Sequence, residues 1–243
     1  AASGDTLAVG APFEDGSARS TASEPDDATK DAGAVYVFVR DASGALRQEA
    51  YLKAEAPHEG AEFGGSVALE GDRLVVGATG DGAGAAYVFE RQNGAWSRVK
   101  QLRPDADAGN AQKFGYAVAL SGETIAVGAS GESSQVADSG AVYVFNRGAG
   151  EWAKQVKLKA KGAGPLDWFG SSLALSGDWL ASSATGEFTD RVTGTGVLHV
   201  FKRSGDTWQE TQRLGPRDAS GCGFFGQVVA LSESTLATTC WTA

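Results

Sequence analysis

The stretch FGYAVALSGETIAVGASGESSQVADSGAVYVFNRGAGEWAKQVKLKA, residues 114–160, decides the fold. It reads as four short strands, A to D, at residues 114–120, 124–129, 140–145 and 152–158. Small, β-branched and aromatic residues fill these runs, and Gly, Ser, Asn and Asp separate them, which is the pattern of strands and turns. No useful stripe of apolar residues at i, i+3, i+4 argues for a helix.

The rest of the chain repeats this unit. Phe-Gly pairs stand at Phe63-Gly64, Phe114-Gly115, Phe169-Gly170 and Phe225-Gly226, separated by 51, 55 and 56 residues. Strand C returns as AVYVF at 34–38, AAYVF at 85–89, AVYVF at 141–145 and VLHVF at 197–201, each after a glycine (Gly33, Gly84, Gly140, Gly196). Strand D starts at Leu46, Trp96, Trp152 and Trp208, with a leucine six residues later at Leu52, Leu102, Leu158 and Leu214. This spacing predicts that both residues share one strand face, with the Trp residues as core anchors rather than platforms for sugar. Strand B occurs five times and decays from VGAP at 9–12 to SSA at 182–184 and TTC at 238–240. Antiparallel four-strand units repeating at about fifty residues predict an all-β propeller, whose blades bury their faces by stacking. The expected layout is one domain over 1–243, with a partial blade at 1–62, blades at 63–113, 114–168 and 169–224, and closing A and B strands at 225–243.

Composition narrows the function. The 243 residues are 42% hydrophobic, enough for a core, with 34 Gly and 6 Pro, a balance that suits tight turns over a proline-rich linker. The net charge of −9 opposes nucleic acid and anionic lipid as partners. No apolar run is long enough to predict membrane insertion. The chain starts at Ala1 and contains no Met, which reads as a piece of a longer protein.

The FG heading strand A and the VGAP closing strand B resemble the FG-GAP repeat of integrin α-subunit propellers and of many bacterial surface proteins. The bacterial branch is the nearer resemblance, and it covers essentially the whole chain. It implies a secreted or cell-surface interaction module of adhesion type, binding a protein or glycan ligand. Two alternatives stand beside this expectation: a lectin-like carbohydrate-binding propeller, and a scaffold attached to a hydrolase. The resemblance also implies calcium between A and B. The residues argue against it, because turns such as Ser121-Gly122-Glu123 and Ser176-Gly177-Asp178 hold too few carboxylates for six to eight oxygen ligands. No cofactor is therefore expected.

Alternation of strand direction puts the B–C and D–A connections on one face and the short A–B and C–D turns on the other. The long, varied connections make the first face the candidate binding surface. Its most unusual loop spans residues 12–32, where Glu14, Asp15, Glu24, Asp26, Asp27 and Asp31 cluster. Glu14, Asp15, Asp26, Asp27 and Asp31 are the candidate binding residues, although a solvated acidic insertion is the simpler reading of them. The basic residues Arg98, Lys100, Arg103, Lys154, Lys157 and Lys159 read as protection of the outer strand edge. Catalysis is not expected: the A strands carry no Asp, Glu or His, and no nucleophile elbow appears. Cys222 and Cys240 flank the last A-B hairpin and are expected to form a disulfide, in an oxidising compartment. Residues 225–231 are expected to pair with residues 6–11 and close the ring. Within one chain this gives four blades, and between two chains an intertwined homodimer or larger propeller.

Overall fold

The computed structural model describes residues 1–17, 27–104, 111–187, 195–217, 222–233 and 235–240, and every regular element among them is a strand. The chain divides into two compact units, Ala1–Arg103 and Pro104–Ala243. Unit 1 holds two four-stranded sheets. The first comprises β1 (Ala2–Ser3), β2 (Thr6–Ala11), β3 (Ala34–Arg40) and β4 (Leu46–Leu52), and the second β5 (Phe63–Glu70), β6 (Arg73–Ala78), β7 (Ala85–Gln92) and β8 (Ala95–Leu102). Unit 2 holds β9 (Ala111–Ser121), β10 (Thr124–Glu132), β11 (Ala141–Gly148) and β12 (Glu151–Leu158), then β13 (Phe169–Ser176), β14 (Trp179–Ala184), β15 (Val197–Ser204) and β16 (Thr207–Leu214). It ends in a two-stranded sheet of β17 (Val229–Ser232) and β18 (Thr235–Thr238). Each sheet is an antiparallel meander in the predicted A-B-C-D order, so the chain is an all-β propeller protein built from four-stranded blades.

The repeated glycines have two distinct causes. Gly4, Gly71, Gly122 and Gly177 open the A–B turns with φ between 53° and 56°, which glycine adopts without strain. The FG and VGA glycines instead let neighbouring blades touch backbone to backbone. A Cβ on Gly10 would overlap the Gly64 carbonyl, and one on Gly128 the Gly170 carbonyl. The glycine before strand C has the same constraint: a Cβ on Gly33 would overlap Phe63, and one on Gly140 would overlap Phe169. Phe63, Phe169 and Phe225 donate their amides to the blade before them, to Ala32 O at 3.1 Å, Ser139 O at 3.0 Å and Thr195 O at 2.7 Å. The motif is thus an inter-blade seam. Around it, Ala8, Val35, Val37 and Leu52 pack against Phe63, Leu74, Val76 and Phe89 in unit 1. Val142, Val144 and Leu158 pack likewise against Phe169, Leu180 and Phe201 in unit 2.

The strand D spacing misleads about faces. Each D strand carries a β-bulge at the same register, so Glu49, Val99, Gln155 and Thr211 have no partner residue in strand C. The extra residue reverses the alternation, and Trp96 and Leu102 point to opposite faces rather than to one. The bulge also aims a side chain at the next blade. Glu49 accepts from the Trp96 indole at 2.9 Å and from Arg91 at 3.1 Å, and Gln155 accepts from the Trp208 indole at 3.1 Å.

The strands expected to close the ring, in residues 6–11 and 225–231, have their sheet partners within their own units. Strand β2 lies between β1 and β3, and β17 pairs with β18. A hairpin closed by a two-residue turn costs far less chain entropy than a pairing across more than two hundred residues.

Candidate functional site

The B–C loops are tied to the D–A loop entering the next blade by a three-bond ladder. In unit 1 the amides of Gly60, Glu62 and Phe63 donate to the carbonyls of Lys30, Asp31 and Ala32 at 2.9, 3.0 and 3.1 Å. In unit 2 Leu166, Trp168 and Phe169 donate to Ala137, Asp138 and Ser139 at 3.0, 3.1 and 3.0 Å. The loop face is therefore built on paired backbone, a rigid base for whatever side chains project from it.

A carboxylate stands three residues after the last Ala of every complete B strand: Glu14, Asp81, Glu132 and Glu187. Each is answered by a cation beside the D-strand leucine. Lys53 binds Glu14, which also accepts from Tyr51 Oη at 2.7 Å. Arg103 reaches Asp81 at 2.9 Å, and the Tyr87 hydroxyl donates to the same carboxylate. Lys157 and Lys159 both hold Glu132, whose side chain is wholly buried. Arg213 binds Glu187 at 2.7 Å. Burial alone would raise the Glu132 and Glu187 carboxyls, but the hydrogen bonds from Lys157 and Lys159, and from His199 and Arg213, outweigh it and hold both below the usual carboxylate range. Burial, followed by the hydrogen bond to Asp81, pushes the Tyr87 hydroxyl up.

His199 takes the position of the strand C tyrosine. It is fully buried, with Nε2 2.6 Å from Glu187 and Nδ1 2.8 Å from Glu210. Burial lowers its pKa, but the two carboxylates outweigh this and raise it above the ordinary value. Two acceptors, one on each ring nitrogen, favour the doubly protonated imidazolium. The neighbouring Asp167 is also buried, which pushes its carboxyl up.

This geometry redistributes the candidate residues. Glu14 is the blade-1 member of the repeated ion pair, not a free ligand of an acidic loop. Asp15 accepts from the Asp31 amide at 2.7 Å and orders the loop, while Asp27 is exposed. Asp26 and Glu24 lie outside the described residues. Lys157 and Lys159 are half-buried partners of the buried Glu132, and Arg103, itself exposed, pairs with the half-buried Asp81. The spacing of three after strand B, matched to Lys or Arg next to the D-strand leucine, is the sequence signal that reveals this pairing. Cys222 and Cys240 are joined in a disulfide with Cα atoms 5.4 Å apart. Among the described residues no group of three or more His, Cys, Asp or Glu is arranged to hold a metal ion, and no helix is long and apolar enough to cross a membrane.

In each unit the loops also project large apolar side chains. Phe13 is 70% exposed in the first B–C loop, and Leu166 and Phe224 are exposed in D–A loops.

No curated protein sequence matches the chain. Among solved structures, the Pseudomonas aeruginosa periplasmic gluconolactonase PpgL shares 16% identity at a TM-score of 0.58, over 97% of this chain and 62% of that one. The Aleuria aurantia lectin, a six-bladed β-propeller, shares 10% identity at a TM-score of 0.45, over 98% of this chain and 71% of that one. The N-terminal domain of Nup159 shares 13% identity at a TM-score of 0.42, over 73% of this chain and 43% of that one. The chain spans less than two thirds of the gluconolactonase and of the Nup159 domain. At this identity the likeness to the gluconolactonase is one of fold. The model of the FG-GAP repeat matches residues 46–89, 96–145 and 152–201, more than half of the chain. The repeated FG and VGA seams and the matched segments lead to one conclusion: this chain belongs to the FG-GAP repeat family.

Proposed function

We propose that this chain is a non-enzymatic interaction module of a secreted or cell-surface protein, and that it binds a protein partner through the face of its B–C and D–A loops. One observation carries the reading: Phe13, 70% exposed, stands beside Glu14, which is bound to Lys53, and Asp15, which accepts from the Asp31 amide. Exposed apolar side chains on a rigid base suit a protein contact, in which a few buried anchors supply most of the affinity. The disulfide supports an oxidising compartment. Catalysis has less support, because the buried histidine and carboxylates are closed by mutual pairing.

The test is solid-phase binding to arrays of extracellular matrix proteins and of glycans, with wild type, Phe13→Ser and the opposite-face variant Glu123→Gln. Saturable binding to a protein probe, weakened at least tenfold by Phe13→Ser and unchanged by Glu123→Gln, is expected. Binding to glycans alone, or loss with Glu123→Gln only, overturns the assignment.

A further inference from the structure

Within unit 2, the seam between the blade of β9 to β12 and the blade of β13 to β16 holds a cavity of about 350 Å³ on the face of the A–B turns. Arg147 and Arg203 line it, with Thr124, Asn146 and Glu123 between them and Gly177 of the next A–B turn opposite.

The corresponding seam in unit 1 shows how such an arginine is used. Arg91 donates from Nε to Asp72 at 2.6 Å and from Nη1 to Thr6 at 3.2 Å and to Glu49 at 3.1 Å, and its guanidinium lies over Trp96. Arg203 repeats most of this set, with Nε on Asp178 at 2.8 Å, Nη1 on Thr124 at 2.9 Å and the guanidinium over Trp208. What it lacks is the second carboxylate. The bulged residue here is Gln155, which accepts from the Trp208 indole as Glu49 accepts from Trp96, but carries no charge. Unit 1 thus sets Asp5, Asp72 and Glu49 beside Arg40 and Arg91, and unit 2 sets Glu123 and Asp178 beside Arg147 and Arg203. A planar guanidinium binds carboxylates through charge-assisted hydrogen bonds, so a carboxylate from outside would complete the set.

Asn146 is a second, independent sign. It faces the first residue of its strand B, Thr124, where the first blade has Val39 facing Thr6. Its Oδ1 is buried and has no hydrogen-bond partner. A buried acceptor in that state costs stability, which a ligand bringing a donor recovers.

We infer that this cavity binds an acidic peptide segment of another protein, whose Asp or Glu carboxylate pairs with Arg203 and Arg147 and whose backbone N–H donates to Asn146. Glu49 in unit 1 is the internal example: a glutamate on an extended strand, set against the equivalent arginine. The cavity lies on the face opposite the B–C and D–A loops. It is a second site, and the reading proposed above does not support it or depend on it.

Acetyl-Gly-Glu-Gly-amide serves as the probe, with acetyl-Gly-Gln-Gly-amide as the uncharged control and glucuronate as a sugar acid. Each is titrated into the isotope-labelled chain, and the Arg Nε–Hε signals are followed by NMR. Saturable shifts at Arg147 and Arg203 are expected with the Glu peptide and none with the Gln peptide. Gln155→Glu gives Arg203 the carboxylate that Arg91 already has. It should raise the melting temperature and weaken the Glu peptide at least tenfold, with the fold intact by circular dichroism. Asn146→Val, which copies the first blade, should weaken the peptide severalfold. No saturable shift, equal binding of the two peptides, or undiminished binding to the Gln155→Glu protein overturns the inference. Tighter binding of glucuronate than of the Glu peptide would give the cavity to a sugar acid and overturn its assignment to a peptide.

Discussion

Gly10 and Gly128 lie inside B strands, at backbone angles open to any residue, and lack only the room for a side chain. Gly128→Ala would push a methyl group into the Gly170 backbone, which cannot move without parting two blades. A loss of about 3 kcal/mol is expected, at the upper end for overpacking, and urea unfolding measures it. In the next blade the same position is Ser183, and beside it Ser182 has a buried hydroxyl with no hydrogen-bond partner, where its counterparts are Val76 and Val127. Ser182→Val should therefore stabilise unit 2 by about 1 kcal/mol, seen as a higher urea midpoint at unchanged slope. Glu132→Gln tests the repeated ion pair. It leaves Lys157 and Lys159 without their buried counter-charge, and about 3 kcal/mol should be lost.

The element most unlike its siblings is the blade of β13 to β16, where His199 replaces tyrosine among Glu187, Glu210, Arg213 and Asp167. Its folded pKa is raised above the ordinary 6.5, so its stabilisation is complete below that value and is lost as pH rises through the folded pKa. Glu187 acts with the opposite sign. Its pKa is held below 4.5, so its stabilisation is present above that value and lost as pH falls through the folded pKa. The thermal stability of unit 2 should therefore fall as pH rises above the ordinary histidine value and through the folded pKa of His199, and His199→Tyr should flatten that limb. An unchanged slope in the variant would assign the dependence to another group. Strands and turns at this scale were legible because alternation and glycine spacing are local properties. The D-strand bulge was not, because an extra residue leaves the Trp-to-Leu count of six intact and shows only in the pairing with strand C.

Over the whole chain, the blade boundaries were readable from the FG and AVYVF spacing, since each copy of the motif is one seam. The terminal hairpin was readable too, since its A and B strands are neighbours in sequence, and β17 pairs with β18. The candidate site was half legible. Loop length located the face, but the acidic run at 14–31 hid Glu14 as a member of a fourfold ion pair, because its partner Lys53 lies 39 residues away. Hydrogen–deuterium exchange of the chain alone and saturated with a protein probe that passes the binding test measures the binding face directly. Protection should concentrate in residues 12–17, 79–84, 130–139 and 160–168, in the B–C and D–A loops. Protection confined to the A–B turns at residues 70–72, 121–123 and 176–178 would contradict it.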